Sequence, residues 1–142
     1  MFRYFNHRFH WKNFSFQIPD GFYLDCDPEP SGGNTMWLQS PNFDFYISID
    51  IQIDSEGTQE ALRDVIIDMM PECVAPIRPV SVNGLCGHHA SYRLIRPRYY
   101  ELFLDLGGGE LLNIVIWSSN DSVYDQTAAA IAALDLRKEP EC

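Results

Sequence analysis

Two carboxylates, two adjacent histidines and four cysteines are the residues whose types could carry chemistry in this chain. Asp50 and Asp54 fall on one face of an alternating segment, as a general acid and its base would. At roughly 3.3 Å per residue they stand about 13 Å apart, whereas paired catalytic carboxylates need about 5–9.5 Å. The segment therefore reads as a solvated polar face. His88 and His89 are neighbours in a second alternating run. Successive strand side chains point to opposite faces, so the two do not share one metal ion. His88 falls with Ala90, Tyr92 and Leu94 and is expected in the core. His89 falls with Ser91 and Arg93 and is expected to be exposed. Cys26, Cys73, Cys86 and Cys142 include no C-x-x-C pair and match no zinc pattern. Reduced thiols are expected, with Cys86 on an inner face and neither disulfide nor metal. Gly107-Gly108-Gly109-Glu110 lacks the Lys-Ser/Thr of a phosphate loop, and no G-x-S-x-G occurs. No catalytic residue, metal ligand or cofactor is assigned.

The charge balance narrows the partners. Ten Lys and Arg against 20 Asp and Glu leave a net charge of −10. That excess repels phosphate backbones and anionic lipid, so neither nucleic acid nor a membrane surface is an expected partner. A length of 142 residues with 46% hydrophobic and 21% charged content fits one globular domain. Arg3, His7, Arg8, His10 and Lys12 interrupt the opening dozen residues. The uninterrupted apolar stretch of about 7–15 residues that a secretory signal needs is missing there, and a cytoplasmic location is expected.

These residues must be positioned by elements that the hydrophobic periods reveal. Phe14, Phe16 and Ile18 share one face of a strand over 13–18, closed by a turn at Pro19-Asp20-Gly21. A polar loop runs over Asp25–Gly33, and a short strand over 35–39. From 43 to 54, Phe43, Phe45, Ile47, Ile49, Ile51 and Ile53 alternate with Asp44, Tyr46, Ser48, Asp50, Gln52 and Asp54. The period then changes to 3.6, with Leu62, Val65, Ile66, Met69 and Met70 forming a stripe. Thr58 is the expected cap and Pro71 the stop. Pro76 and Pro79 keep the next segment irregular or at an edge.

Strands follow over 86–96 and 100–106, then a glycine hairpin tip, then Leu112, Ile114 and Ile116 on the far side. A three-residue tip pairs Leu104 with Leu112, Leu102 with Ile114 and Tyr100 with Ile116. A four-residue tip would pair Leu104 with Asn113, so the first register keeps one face apolar. A second helix over 122–134 turns Val123, Thr127, Ala130, Ile131 and Leu134 inward. The class is α+β: an antiparallel β-sheet with two packed helices.

Phe16 to Phe22 (Phe-x-Ile-Pro-Asp-Gly-Phe) precedes a strand and then a helix that begins after Gly-Thr. Val82-Asn-Gly84 leads into Gly87-His-His-Ala-Ser-Tyr92, and the closing helix ends in Ala-Leu-Asp-Leu at 133–136. In this order of elements, residues 13–137 resemble the PsbP-like fold. Its members include photosystem II extrinsic subunits, Ran-binding Mog proteins, bacterial lipoproteins and chaperones of type VI secretion effectors. The resemblance implies a layered sandwich and a non-catalytic binding or scaffolding role, and it carries no catalytic residues over.

Residues 1–12 read as an aromatic N-terminal arm (Phe2, Tyr4, Phe5, Phe9, Trp11), 13–137 as the domain and 138–142 as a tail. The arm either packs on its own domain or makes a homodimer or partner contact. The reverse face of the glycine hairpin carries Tyr99, Phe103 and Trp117, and Arg93, Arg96 and Arg98 form the densest basic cluster. The candidate partner-binding residues are Tyr46, Arg93, Tyr99, Phe103 and Trp117, with Arg96 and Arg98 at the rim. The expected function is a cytosolic, non-catalytic protein-binding or scaffolding domain. By resemblance it is a chaperone or adaptor that shields an apolar segment of a client. The alternatives are an acidic, immunity-type inhibitor of a basic toxin and a small hydrolase with its cleft near the Asp25–Gly33 loop.

Overall fold

The isoleucine alternation at the middle of the chain becomes an interior strand of a seven-stranded sheet. The computed structural model describes residues 3–26, 35–39, 45–69, 76–93, 98–118 and 123–139. In chain order the elements are β1 (Arg3–Phe5), β2 (Arg8–Trp11), β3 (Phe14–Gln17), β4 (Tyr23–Cys26), β5 (Thr35–Gln39) and β6 (Phe45–Gln52). Next come α1 (Thr58–Met69), β7 (Arg78–Val82), β8 (Leu85–Arg93), β9 (Arg98–Gly107), β10 (Glu110–Ser118), α2 (Val123–Ala133) and β11 (Arg137–Lys138). The large sheet runs β4-β5-β6-β10-β9-β8-β7 and a small one runs β1-β2-β3-β11. The described strand pairs are antiparallel.

Leu104 pairs with Leu112, Leu102 with Ile114 and Tyr100 with Ile116, the expected register. The tip reaches it by another route. Gly108 and Gly109, at φ 63° and 80°, make a two-residue turn between paired Gly107 and Glu110. An irregularity before Leu111 takes up the extra residue. Ile47, Ile49, Ile51, Leu102, Leu104 and Ile114 are all buried, in one cluster with Met36, Leu38, Phe9, Phe16, Ala130 and Leu134. This inner face thus packs against α2 and the small sheet. Ile53 departs from its expected place. The strand ends at Gln52, Asp54 adopts φ 60° and Ser55 N–H donates to the Gly109 carbonyl, leaving Ile53 exposed.

The N-terminal segment is part of the fold. Asn6 and His7, at φ 53° and 60°, turn β1 into β2, and β2 pairs with β3. Phe9 and Trp11 are buried in the main core. Trp11 Nε1 donates to Glu110 Oε2 at 2.9 Å, and Lys12 pairs with the same carboxylate. Arg8 donates to Asp135 Oδ2 at 2.8 Å and to the Asp135 carbonyl at 2.7 Å, tying the hairpin to the end of α2. At the other end Lys138 still pairs with Phe14. The arm and tail boundaries at 12 and 138 therefore both fall inside the small sheet.

On the outer face of the large sheet, Leu62 and Ile66 of α1 pack against Ala90, Tyr92, Phe103 and Leu111. Gly57 caps this helix, its carbonyl accepting from Ala61 N–H. Thr58, the expected cap, begins the helix, and its Oγ1 shares a 2.8 Å hydrogen bond with His88 Nδ1. Proline-bearing β7 takes the sheet edge. No helix among the described residues is long and apolar enough to cross a membrane.

Candidate functional site

Alternation sends Tyr46 of β6, Trp117 of β10, Tyr99 of β9 and Tyr92 of β8 to the outer face, and register sets them in one row. Trp117 stands opposite Tyr46 on one side and opposite Tyr99 on the other, and Tyr99 stands opposite Tyr92. The Tyr46 and Trp117 rings meet edge-on, with centroids 4.9 Å apart and planes at 66°. Tyr99 lies flat on Tyr92 at 5.2 Å and 7°. One row along, Trp37, Ser48 and Val115 are aligned across β5, β6 and β10. The two small residues form a floor between large rings. The result is an open groove of about 280 Å³ lined by Trp37, Tyr46, Ser48, Tyr99, Val115 and Trp117. Trp37 is 43% exposed.

The candidate residues do not all meet there. Tyr46, Tyr99 and Trp117 converge. Phe103, expected on the same open surface, is 0% exposed because α1 lies over it, so it is core and not contact surface. Arg93 and Arg98 stand opposite each other, one position from Tyr92 and Tyr99. Alternation therefore puts both on the inner side of the sheet, away from the groove. Arg96 lies outside the described residues, as does most of the Asp25–Gly33 loop. Sequence reasoning missed Trp37, Ser48 and Val115. The signal for Trp37 was present, since core placement of Met36 and Leu38 sends it outward. What was absent was any sign that β5 borders β6.

Behind the groove lies a buried acid. Glu101 stands opposite Val115 and is only 5% exposed. Burial pushes its carboxyl up to about 7, against the opposing pull of hydrogen bonds from Asn113 and Tyr92. Among the described residues its Oε2 has no hydrogen-bond partner. The Tyr92 hydroxyl is raised in turn, chiefly by burial and then by Glu101. Glu101, Tyr92 and Tyr99 thus link the floor under α1 to the groove wall.

The titratable residues of β8 sit elsewhere. Cys86, expected on an inner face, is an exposed free thiol. It shares the outer face with His88 and Ala90 but is not among the residues clustered under α1. His88 is half-buried beside Thr58. His89, expected to be exposed, is half-buried with its ring 5.1 Å from Tyr100. Its pKa is lowered by burial first, then by Arg78 and His88. Among the described residues no group of three His, Cys, Asp or Glu side chains is placed to hold a metal ion.

No family model matches the chain, and no curated protein matches it. Solved structures do. The cyanobacterial PsbP (CyanoP) of Synechocystis sp. PCC 6803 is similar with a TM-score of 0.56 at 11% identity, over 89% of this chain and 87% of that one. The Ran-binding protein Mog1p of Saccharomyces cerevisiae gives 0.57 at 10% identity, over 89% and 90%. A crystal structure from Bacteroides thetaiotaomicron VPI-5482 gives 0.54 at 13% identity, over 91% of this chain and 46% of that one. The chain has the PsbP-like fold, an α+β sandwich built on antiparallel sheet.

Proposed function

We propose that this chain is a cytosolic, non-catalytic protein-interaction domain that receives its partner in the aromatic groove of the outer sheet face. The observation that carries the reading is the division of that face. Helix α1 covers Phe103 and Ala90, while Trp37, Tyr46, Tyr99 and Trp117 line an open depression beside it. Rings, one valine and one serine suit binding more than bond-breaking, and Trp and Tyr are the residues on which interface energy concentrates. The similar fold of a protein named as Ran-binding supports a protein partner. A role as chaperone or adaptor, shielding an apolar segment of a client, is the finer form of this proposal.

The test is capture from the native source by the wild-type chain, side by side with Trp117→Ala and Tyr99→Ala. Each variant is checked for fold by circular dichroism. Loss of one stoichiometric protein from both folded variants is expected. A partner retained in full by both would move the binding surface elsewhere.

A further inference from the structure

Among the described residues the groove is lined by π-faces and by no lysine or arginine. Tyr46 and Trp117 meet at 66°, forming a corner of two ring faces, and Trp37 stands beside the Ser48–Val115 floor. Aromatic faces carry negative potential and attract ammonium and guanidinium groups. Among the described residues, no lysine or arginine falls at an outer-face position of β5, β6, β10, β9 or β8. The arginines of β8 and β9 lie on the inner side, and the cation–π contact of Lys138 is with Phe14, far from the groove in the small sheet. The outer-face neighbours of the floor include Asp50, and α1 beside the groove carries exposed Glu60, Asp64 and Asp68 against Arg63. The whole chain adds a net −10.

Size restricts the occupant as well. A volume of about 280 Å³ lies just below the usual range for small-molecule pockets. A helix about 10–12 Å across does not enter it, but one long side chain does.

We infer that the groove is a cation receptor, which takes the guanidinium or ammonium group of an arginine or lysine presented by a protein partner and seats it among Trp37, Tyr46 and Trp117. This inference rests on the reading of the groove as the binding surface and adds the chemistry of what enters it.

Capped pentapeptides Ac-Gly-Gly-X-Gly-Gly-amide are the probes, with X as arginine, lysine, citrulline, norleucine or glutamate. Binding to the full chain is followed by indole fluorescence and by the NMR resonances of Trp37 and Trp117. The arginine peptide is expected to bind about tenfold more tightly than citrulline, its neutral near-isostere. Added salt should weaken it, and Trp117→Leu, which keeps apolar surface and removes the ring, should abolish it. Tyr46→Leu is the second variant, in case Trp117→Leu does not fold. Equal binding of citrulline or norleucine, tighter binding of glutamate, or no movement of either indole with any peptide would overturn the cation assignment. The separate reading of the groove as a docking surface fails only if the captured partner survives Trp117→Ala and Tyr99→Ala.

Discussion

Tyr99 and Phe103 lie on the same side of β9, four residues apart, yet Tyr99 lines an open groove while Phe103 is fully buried beneath α1. The helix has 12 residues, and at 1.5 Å per residue it reaches about 18 Å. It seals the part of the outer face formed by Ala90, Tyr92, Phe103 and Leu111, and the row from Tyr46 to Tyr99 lies beside it.

This contrast predicts divergent mutational costs. Phe103→Ala should destabilise the fold by about 3–5 kcal/mol, the usual cost of emptying a buried aromatic site. Tyr99→Ala should cost about 0.5–1.5 kcal/mol, the scale of its stacking on Tyr92. Urea unfolding midpoints measure both, and equal costs would contradict the placement of α1.

The N-terminal hairpin should behave as core. Phe9 is fully buried against Phe16, with ring centroids 5.7 Å apart, so Phe9→Ala should cost about 3–5 kcal/mol. Removal of residues 1–12 should leave a chain that no longer unfolds cooperatively on heating. A truncated chain with an unchanged melting temperature would show that the hairpin is dispensable.

Glu101 makes stability depend on pH. Its carboxyl titrates at about 7 when folded, against 4.5 for the ordinary group, so folding holds a proton between those values. Stability therefore falls as pH rises from about 4.5 to 7, and the whole penalty, on the order of 3 kcal/mol, is present above that window. His89, lowered by burial, contributes the opposite slope below its ordinary value. The comparison of wild type with Glu101→Gln isolates the carboxyl. The variant should be the more stable at pH 8 and should lose that advantage by pH 4.5. Parallel pH profiles for the two would remove Glu101 as the cause.

Gly87 is a site of close approach. A Cβ there would collide with the carbonyl of Phe103 on the neighbouring strand. Gly87→Ala should therefore force β8 away from β9 and destabilise by about 1–3 kcal/mol or more. Gly84→Ala meets open space and is strained only by its φ of 84°, so it should be the milder change. A reversed order in thermal melts would count against the tight β8–β9 contact.

Local periodicity by itself determines much of this protein. The period of two over 45–52 fixed which isoleucines face inward, and the requirement for one apolar face fixed the β9–β10 register down to Tyr99 opposite Trp117. The stripe of Leu62 and Ile66 fixed the buried side of α1. Alternation also held the answer for Arg98, whose place next to Tyr99 in sequence means the opposite face of the sheet. Other features depended on segments far apart in the chain. Trp37 joins the groove because β5 borders β6, and Phe103 leaves it because α1 lands over β8 and β9. Phe9 enters the core because β2 pairs with β3, and Cys86 stays exposed outside the cluster under α1. Periodicity assigns a side chain to a face by local backbone geometry. Whether that face meets water or protein is decided by long-range packing, which no short window of sequence contains.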